Sequence, residues 1–335
     1  MRRPAPGVPH LGLRANLARF GLLVIVNALV GGMVGQERTV LPLLASDIFG
    51  LDGAAAILTY VAAFGVTKAI TNLVAGALAD RYGRKPVLVA GWLIGLPVPL
   101  LIIVAPTWEW VVAANALLGI NQGLTWSTTV IMKIDLVGPA RRGLAMGFNE
   151  AAGYVAVAAT ALATGWIGAE FGLRPGPFLL GLAYAVLGLG LSTILVRETR
   201  GHVEHERASR AETAPTSWRT AFVRTSLRDP SLSAASQAGL VNNLNDGMAW
   251  GLLPLFFSAA GLSVGQIGIL AATYPAVWGL GQLVTGGLSD RIGRKPLIVA
   301  GMLTQAAAIA MIAVAGSFGA WLAAAALLGV GTAMV

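Results

Sequence analysis

An all-α integral membrane protein built from two repeated helical bundles is the fold class predicted, and three observations carry it. The 335 residues are 56% hydrophobic and 11% charged, with mean hydropathy +0.73, which is far more apolar surface than one globular core can bury. Ten apolar runs each approach the about 20 residues needed to cross a bilayer. Between two of these runs lies a charged stretch, Gly76-Ala77-Leu78-Ala79-Asp80-Arg81-Tyr82-Gly83-Arg84-Lys85-Pro86, which recurs as Gly286-Gly287-Leu288-Ser289-Asp290-Arg291-Ile292-Gly293-Arg294-Lys295-Pro296. At an offset of 210 the windows Leu73 to Gly91 and Leu283 to Gly301 are identical at 13 of 19 positions, so two equivalent halves are expected.

In chain order, residues 1–17 are a basic, proline-containing segment. The apolar run that follows from Phe20 continues to about Leu44 without a small-residue cleavage pattern, so it reads as a membrane helix and not as a signal peptide. The predicted spans are 18–45, 54–79, 86–105, 110–133, 143–168, 176–196, 233–257, 265–288, 296–315 and 319 to the end. Pro86, Pro177 and Pro296 fall near helix starts, where a missing N–H costs little. Residues 18–196 thus form a six-helix bundle, 197–230 a polar linker, and 231–335 helices 7 to 10 of a second bundle. Within the linker, Trp218, Phe222 and Leu227 alternate with Arg219, Arg224 and Arg228, a spacing that suits a short interfacial helix on anionic lipid. Ala116-Leu117-Leu118-Gly119 matches Ala326-Leu327-Leu328-Gly329, which sets Val335 opposite Thr125 in mid-helix 4. On that register the second bundle is expected to be truncated within helix 10, in a fragment or a truncated gene.

Charge orients the helices. Of 23 Lys and Arg, 19 fall before helix 1 or in the connections after helices 2, 4, 6 and 8, whereas the opposite loops hold only Arg174. This positive-inside asymmetry predicts a multi-pass protein of the cell inner membrane with a cytoplasmic N-terminus, and it accounts for the net charge of +8 without nucleic acid. There are no cysteines, and His10, His202 and His205 all lie in polar segments, so no metal site or cofactor is expected. Neither a Walker loop, nor G-x-S-x-G, nor H-E-x-x-H occurs, and no cytoplasmic segment is large enough to house an active site; an enzyme is not expected.

Ionisable groups inside the bilayer are costly and mark candidate sites. Helix 1 carries Gln36, Glu37 and Arg38, with Asn27 on roughly the face of Arg38. Helix 7 carries Asn242, Asn243, Asn245 and Asp246, next to Gly247, and the offset of 210 pairs Asp246 with Gln36. Asn115, Gln122, Trp126, Thr129 and Lys133 form one face of helix 4 that should line a cavity, with Trp126 available to stack on a substrate. Lys133 and Asp135 are expected to form an ion pair near the cytoplasmic end, while Lys68, Asn149 and Glu150 suit either coupling or packing between halves. Glu37, Glu150 and Asp246 are the acids deep enough to exchange a proton.

The repeated loop has a physical reading of its own. Gly76 and Gly286 allow close helix approach, Gly83 and Gly293 permit a tight turn, and Asp80 and Asp290 suit the positive N-terminus of another helix. The G-x-L-x-D-R-x-G-R-K-P pattern, present twice in a six-plus-six arrangement with a central loop, resembles the major facilitator superfamily. The resemblance implies two six-helix bundles, with helices 1, 4, 7 and 10 around a central cavity. It also implies a conformational latch between the halves formed by Gly76, Asp80, Arg81, Gly83, Arg84 and Lys85 and by Gly286, Asp290, Arg291, Gly293, Arg294 and Lys295. In that latch Asp80 would face helix 11 and Asp290 the start of helix 5, near Arg142 and Gly143. The implied function is a monomeric, proton-coupled secondary transporter of a small organic molecule working by alternating access. Leu41-Pro42-Leu43-Leu44 resembles the bacterial efflux branch, whereas Gly147-Phe148-Asn149-Glu150-Ala151-Ala152-Gly153-Tyr154 departs from the Gly-Pro and Gly-Gly pattern of its antiporters. Export is therefore favoured slightly. An uptake symporter for a sugar or organic acid is the alternative, and a truncated or sensor-like protein that does not transport is the third reading.

Overall fold

The computed structural model describes residues 11–138, 142–202 and 218–335, apart from the side chains of Leu144, Trp218 and Asp290. Most of the N-terminal polar segment, the middle of the linker and the Asp290 carboxylate of the expected latch therefore lie outside the described residues. Ten long helices run through what is described: α1 (Leu17–Asp47), α2 (Ala54–Tyr82), α3 (Arg84–Val104), α4 (Trp108–Val137), α5 (Arg142–Phe171), α6 (Gly176–Ile194), α7 (Pro230–Ala259), α8 (Val264–Ile292), α9 (Arg294–Val314) and α10 (Phe318–Ala333).

Seven of these, all except α4, α7 and α10, are long and apolar enough to cross a membrane. α4 and α7 have 30 residues each and miss that measure because Asn, Gln, Lys and Asp side chains dilute them; α10 has 16 residues. The linker ends in a short helix, Trp218–Val223, and a wider turn, Arg224–Arg228, where Phe222 and Leu227 are exposed.

Local chemistry sets the helix boundaries. Asp229 caps α7 by accepting from the Ser231 and Leu232 N–H groups, with Pro230 in the first turn, and Ser263 with Gln266 forms a capping box on α8. α1 is interrupted at Thr39 and Val40. Pro42 lacks the N–H that would bond to Arg38, and its ring crowds the Arg38 carbonyl four residues back. Pro97 interrupts α3 at Leu96 in the same way. The break in α1 falls immediately after the triplet Gln36, Glu37 and Arg38.

α1 to α6 enclose one apolar cluster, centred on Val26, Val30, Met33, Leu88, Trp92 and Leu118. A second cluster gathers Trp250, Phe257, Tyr274, Trp278 and Leu328 from α7, α8 and α10, joined by Leu43 of α1. The most extensive contact in the molecule runs between the halves, α5 against α8. Backbones meet there: a Cβ added at Gly165 would lie 2.8 Å from the Gly268 Cα, and one at Gly147 would lie 3.0 Å from the Gln282 carbonyl oxygen. Small residues permit this approach, and dispersion between tightly packed helices is what holds them together where lipid supplies no hydrophobic drive.

Candidate functional site

Of the polar side chains expected in the bilayer, Arg38, Lys68, Glu150 and Asp246 come within Coulombic reach of one another where α1, α2, α5 and α7 meet. Glu37 and Arg38 are almost completely buried, at 0% and 1% exposure. The Arg38 guanidinium lies 4.1 Å from the ring centroid of Trp250 on α7 and 5.2 Å from that of Phe64 on α2. Beside it, the Tyr60 hydroxyl donates to the Trp250 carbonyl at 3.2 Å, so α2 and α7 are tied across the halves. Both Glu37 oxygens, the Gln36 and Gln122 carbonyl oxygens and the Asn115 Oδ1 are buried with no hydrogen-bond partner.

The other two deep acids are held. Glu150 Oε1 accepts from Trp126 Nε1 at 3.2 Å and from Asn149 Nδ2 at 2.8 Å, within Coulombic reach of Lys68 and Lys133. Asp246 accepts from the Tyr274 hydroxyl, to which Thr332 donates at 3.4 Å, and lies within reach of Lys68 and Arg38. Asn245 donates to Gln305, which in turn donates to Asn242 at 2.9 Å. Asn243 differs from its neighbours: it is exposed and donates to the Gly239 carbonyl, so the four polar residues of α7 do not all face inward.

Two expectations about α4 are corrected. Its polar face does not line an open cavity; it is fastened to α1. Gln122 donates to the Val30 carbonyl at 3.0 Å, Thr129 donates to Asn27 at 2.8 Å, and Lys133 donates to the Leu23 carbonyl at 3.2 Å. Residues 23, 27 and 30 run down one face of α1 as 133, 129 and 122 run up α4, and each donor finds an acceptor there. Of the face, Trp126 stays half-buried and Asn115 donates to its own helix, at Val111. Lys133 and Asp135 are not paired with each other, because residues two apart on a helix do not face one another. Asp135 instead receives Arg84 Nε at 3.2 Å and the Thr199 hydroxyl at 2.8 Å.

The first repeated loop is likewise anchored within its own half. Arg84 is 4% exposed, contacts Asp80 at 2.9 Å and donates to the Ala79 carbonyl at 3.0 Å. Asp80, expected to face another helix, has Arg84 as its ion-pair partner. The Glu198 carboxylate, just beyond α6, accepts the backbone N–H groups of Arg84, Lys85, Thr199 and Arg200 at 3.0–3.1 Å. Burial pushes the Glu198 carboxyl up, but these four donations outweigh it and hold the group below the ordinary glutamate range. Lys85 Nζ reaches the Thr193 carbonyl, and Arg81 lies over Tyr82. Gly76, where close helix approach was expected, has open space around it, since no described helix covers that face. In the second copy a Cβ added at Gly286 would lie 3.5 Å from the Gly143 carbonyl oxygen and 3.7 Å from the Gly147 Cα at the start of α5, while Arg291, Arg294 and Lys295 are exposed.

An aromatic row missed in the sequence crosses the centre. Trp126 packs on Tyr154 at 5.3 Å, Tyr154 stacks on Trp278 at 3.4 Å, and Trp278 packs on Tyr274 at 5.7 Å. The offset of 210 held the signal, because it pairs Lys68 with Trp278 and Phe64 with Tyr274. Chemically, the region offers unpaired donors, unpaired acceptors and flat apolar walls at the boundary between two bundles, which suits binding of a small polar molecule.

Comparison with known proteins agrees in kind. The chain is 27% identical over 240 residues to a probable 4-methylmuconolactone transporter of Cupriavidus pinatubonensis, an alignment covering 70% of this chain and 54% of that one. It thus spans about half the length of that relative. It is 28% identical over 291 residues to the class C tetracycline resistance protein of Escherichia coli, covering 84% of this chain and 70% of the relative. A shorter match, 33% over 103 residues, covers 31% of this chain and 25% of the Escherichia coli fosmidomycin resistance protein. Among solved structures, a peptide transporter POT in complex with sulfate superposes with TM-score 0.71 at 13% identity over 98% of this chain and 82% of that one. The human organic anion transporter MFSD10 gives 0.62 at 16% identity, over 94% and 85%. The model of the Major Facilitator Superfamily matches residues 20–242 and 235–335, so the chain belongs to that superfamily of multi-pass membrane transporters.

Proposed function

We propose that the protein is a secondary active transporter that moves a small organic molecule across the cytoplasmic membrane by alternating access, coupled to protons and with export favoured. Two relatives are named for drug resistance, which supports export. The observation that carries the coupling is Glu37: fully buried beside Arg38, with neither carboxylate oxygen bonded. A buried, unpaired carboxylate is costly unless it takes up a proton or receives a donor from a ligand. Glu150 and Asp246 already accept hydrogen bonds from their surroundings and are secondary candidates. Asn115, Gln122 and Trp126 support the site from α4, and Asn242 and Asn245 from α7. In this reading the first repeated loop keeps one half rigid, and the second, against the start of α5, forms the latch between halves.

The test is transport in proteoliposomes of the strongest thermal-shift stabiliser from a screen that includes tetracycline, fosmidomycin and 4-methylmuconolactone. Glu37→Gln should abolish the response to a pH gradient, with Glu150→Gln and Asp246→Asn slowing transport but leaving it driven. If all three variants remain driven by the gradient, the coupling assignment is wrong.

A further inference from the structure

One edge of the Arg38 guanidinium has nothing to bond. Nε and Nη2 are the pair whose N–H groups run side by side, the fork that grips a carboxylate with two parallel bonds. Both are buried without an acceptor. The Trp250 and Phe64 rings lie against the guanidinium, and cation–π stacking covers the face of the group while leaving the edge unsatisfied. The indole Nε1 of that same Trp250 is a third buried donor without an acceptor. Three unfilled donors in one stacked pair call for an acceptor-rich partner.

Among the described residues no acid supplies it. Glu37, the preceding residue on the helix, lies within Coulombic reach of Arg38, but neither of its oxygens accepts a hydrogen bond from the guanidinium. Asp246 is engaged by Tyr274, and Glu150 by Trp126 and Asn149. Lys68, half-buried over the Phe64 and Trp126 rings, adds a second positive charge within Coulombic reach of Arg38. Arg38 and Phe64 belong to one half and Trp250 to the other, so a molecule seated on this edge contacts both.

We propose that the transported molecule is an organic anion whose carboxylate is gripped by the Nε and Nη2 edge of Arg38, with Trp250 Nε1 as a third donor. The proposal rests on the transport reading above and narrows its substrate to a chemical class. A neutral amide of the same shape brings its own N–H donors against Arg38 and is rejected, since a site built to donate leaves them unpaired.

Benzoate and benzamide, matched in shape and different in charge, make the probe pair. The purified protein in detergent micelles is titrated with each to about 20 mM, because fragments of this size bind in the millimolar range. Thermal unfolding and tryptophan fluorescence are followed together. Benzoate should raise Tm and change the fluorescence, and benzamide should do neither. Arg38→Gln should remove the benzoate response. Arg38→Lys keeps the charge but loses the fork, and should weaken binding roughly tenfold. Equal responses to the two probes, no response to benzoate in the wild type, or a wild-type benzoate response in a folded Arg38→Gln variant would each overturn the proposal. Those failures leave the transport reading standing if pH-driven transport still depends on Glu37. Conversely, benzoate binding through Arg38 without any pH-driven transport would sink the transport reading and leave the anion site.

Discussion

The two copies of the charged loop make the same turn and are held in different ways. Gly83 has φ 95° and ψ 158°, and Gly293 has φ 86° and ψ 161°. Each N–H returns to the carbonyl four residues earlier, Ala79 at 3.0 Å and Ser289 at 3.1 Å. Beyond the turn the likeness ends. Arg84 is buried between Asp80, Asp135 and the Ala79 carbonyl, with Glu198 clamping the backbone, whereas Arg294 and Lys295 are exposed. The residues the two copies share therefore set the backbone, and the neighbours decide whether the same arginine is a structural ion or a solvated charge.

Five substitutions measure that difference by thermal unfolding in detergent micelles. Arg84→Ala should cost the most, about 3–5 kcal/mol, because it leaves the buried Asp135 carboxylate without its cation. Arg294→Ala should stay within about 0.5 kcal/mol, and equal losses would break the comparison. Alanine at either glycine should cost about 1–3 kcal/mol, since both occupy backbone conformations that side chains avoid. The loss should be larger at Gly83, where a Cβ would lie 2.7 Å from Glu198 Oε2, than at Gly293, which has nothing within 4 Å. The smallest effect is that of Glu198. Its folded carboxyl titrates below the ordinary glutamate range, so the stability it contributes is complete at neutral pH, above the unfolded value. That contribution is lost as pH falls through the folded value. Glu198→Gln should flatten this acid limb of the Tm profile and leave the second copy's surroundings untouched; an unchanged limb would show that the clamp contributes nothing.

The centre of the molecule repeats the lesson. The register of 210 pairs Gln36 with Asp246, yet nothing in either segment says that Asp246 meets Tyr274 while neither Glu37 oxygen has a hydrogen-bond partner. The face of α4 was legible as a face because its spacing is helical. That it fastens to α1 instead of bordering water depended on the Leu23 and Val30 carbonyls standing at matching heights, which no pattern within α4 records. Lys133 and Asp135 looked like partners because they are close in sequence, and the helix turns them apart. Asp135 finds Arg84 51 positions away. The aromatic row was legible only in part, through the pairing of Phe64 and Lys68 with Tyr274 and Trp278.

What the chain determines by itself is whatever depends on residues within about two turns of one another, or on solvent. The apolar runs, the basic loops, the glycine turns, the breaks before Pro42 and Pro97 and the repeat all follow from transfer energy, charge and backbone sterics. What tertiary structure decides is which buried polar group meets a partner. Hydrogen bonds inside a bilayer are short in range and strict in geometry, so the contrast between a satisfied Asp246 and an unsatisfied Arg38 edge arises only when five helices from both halves are brought together.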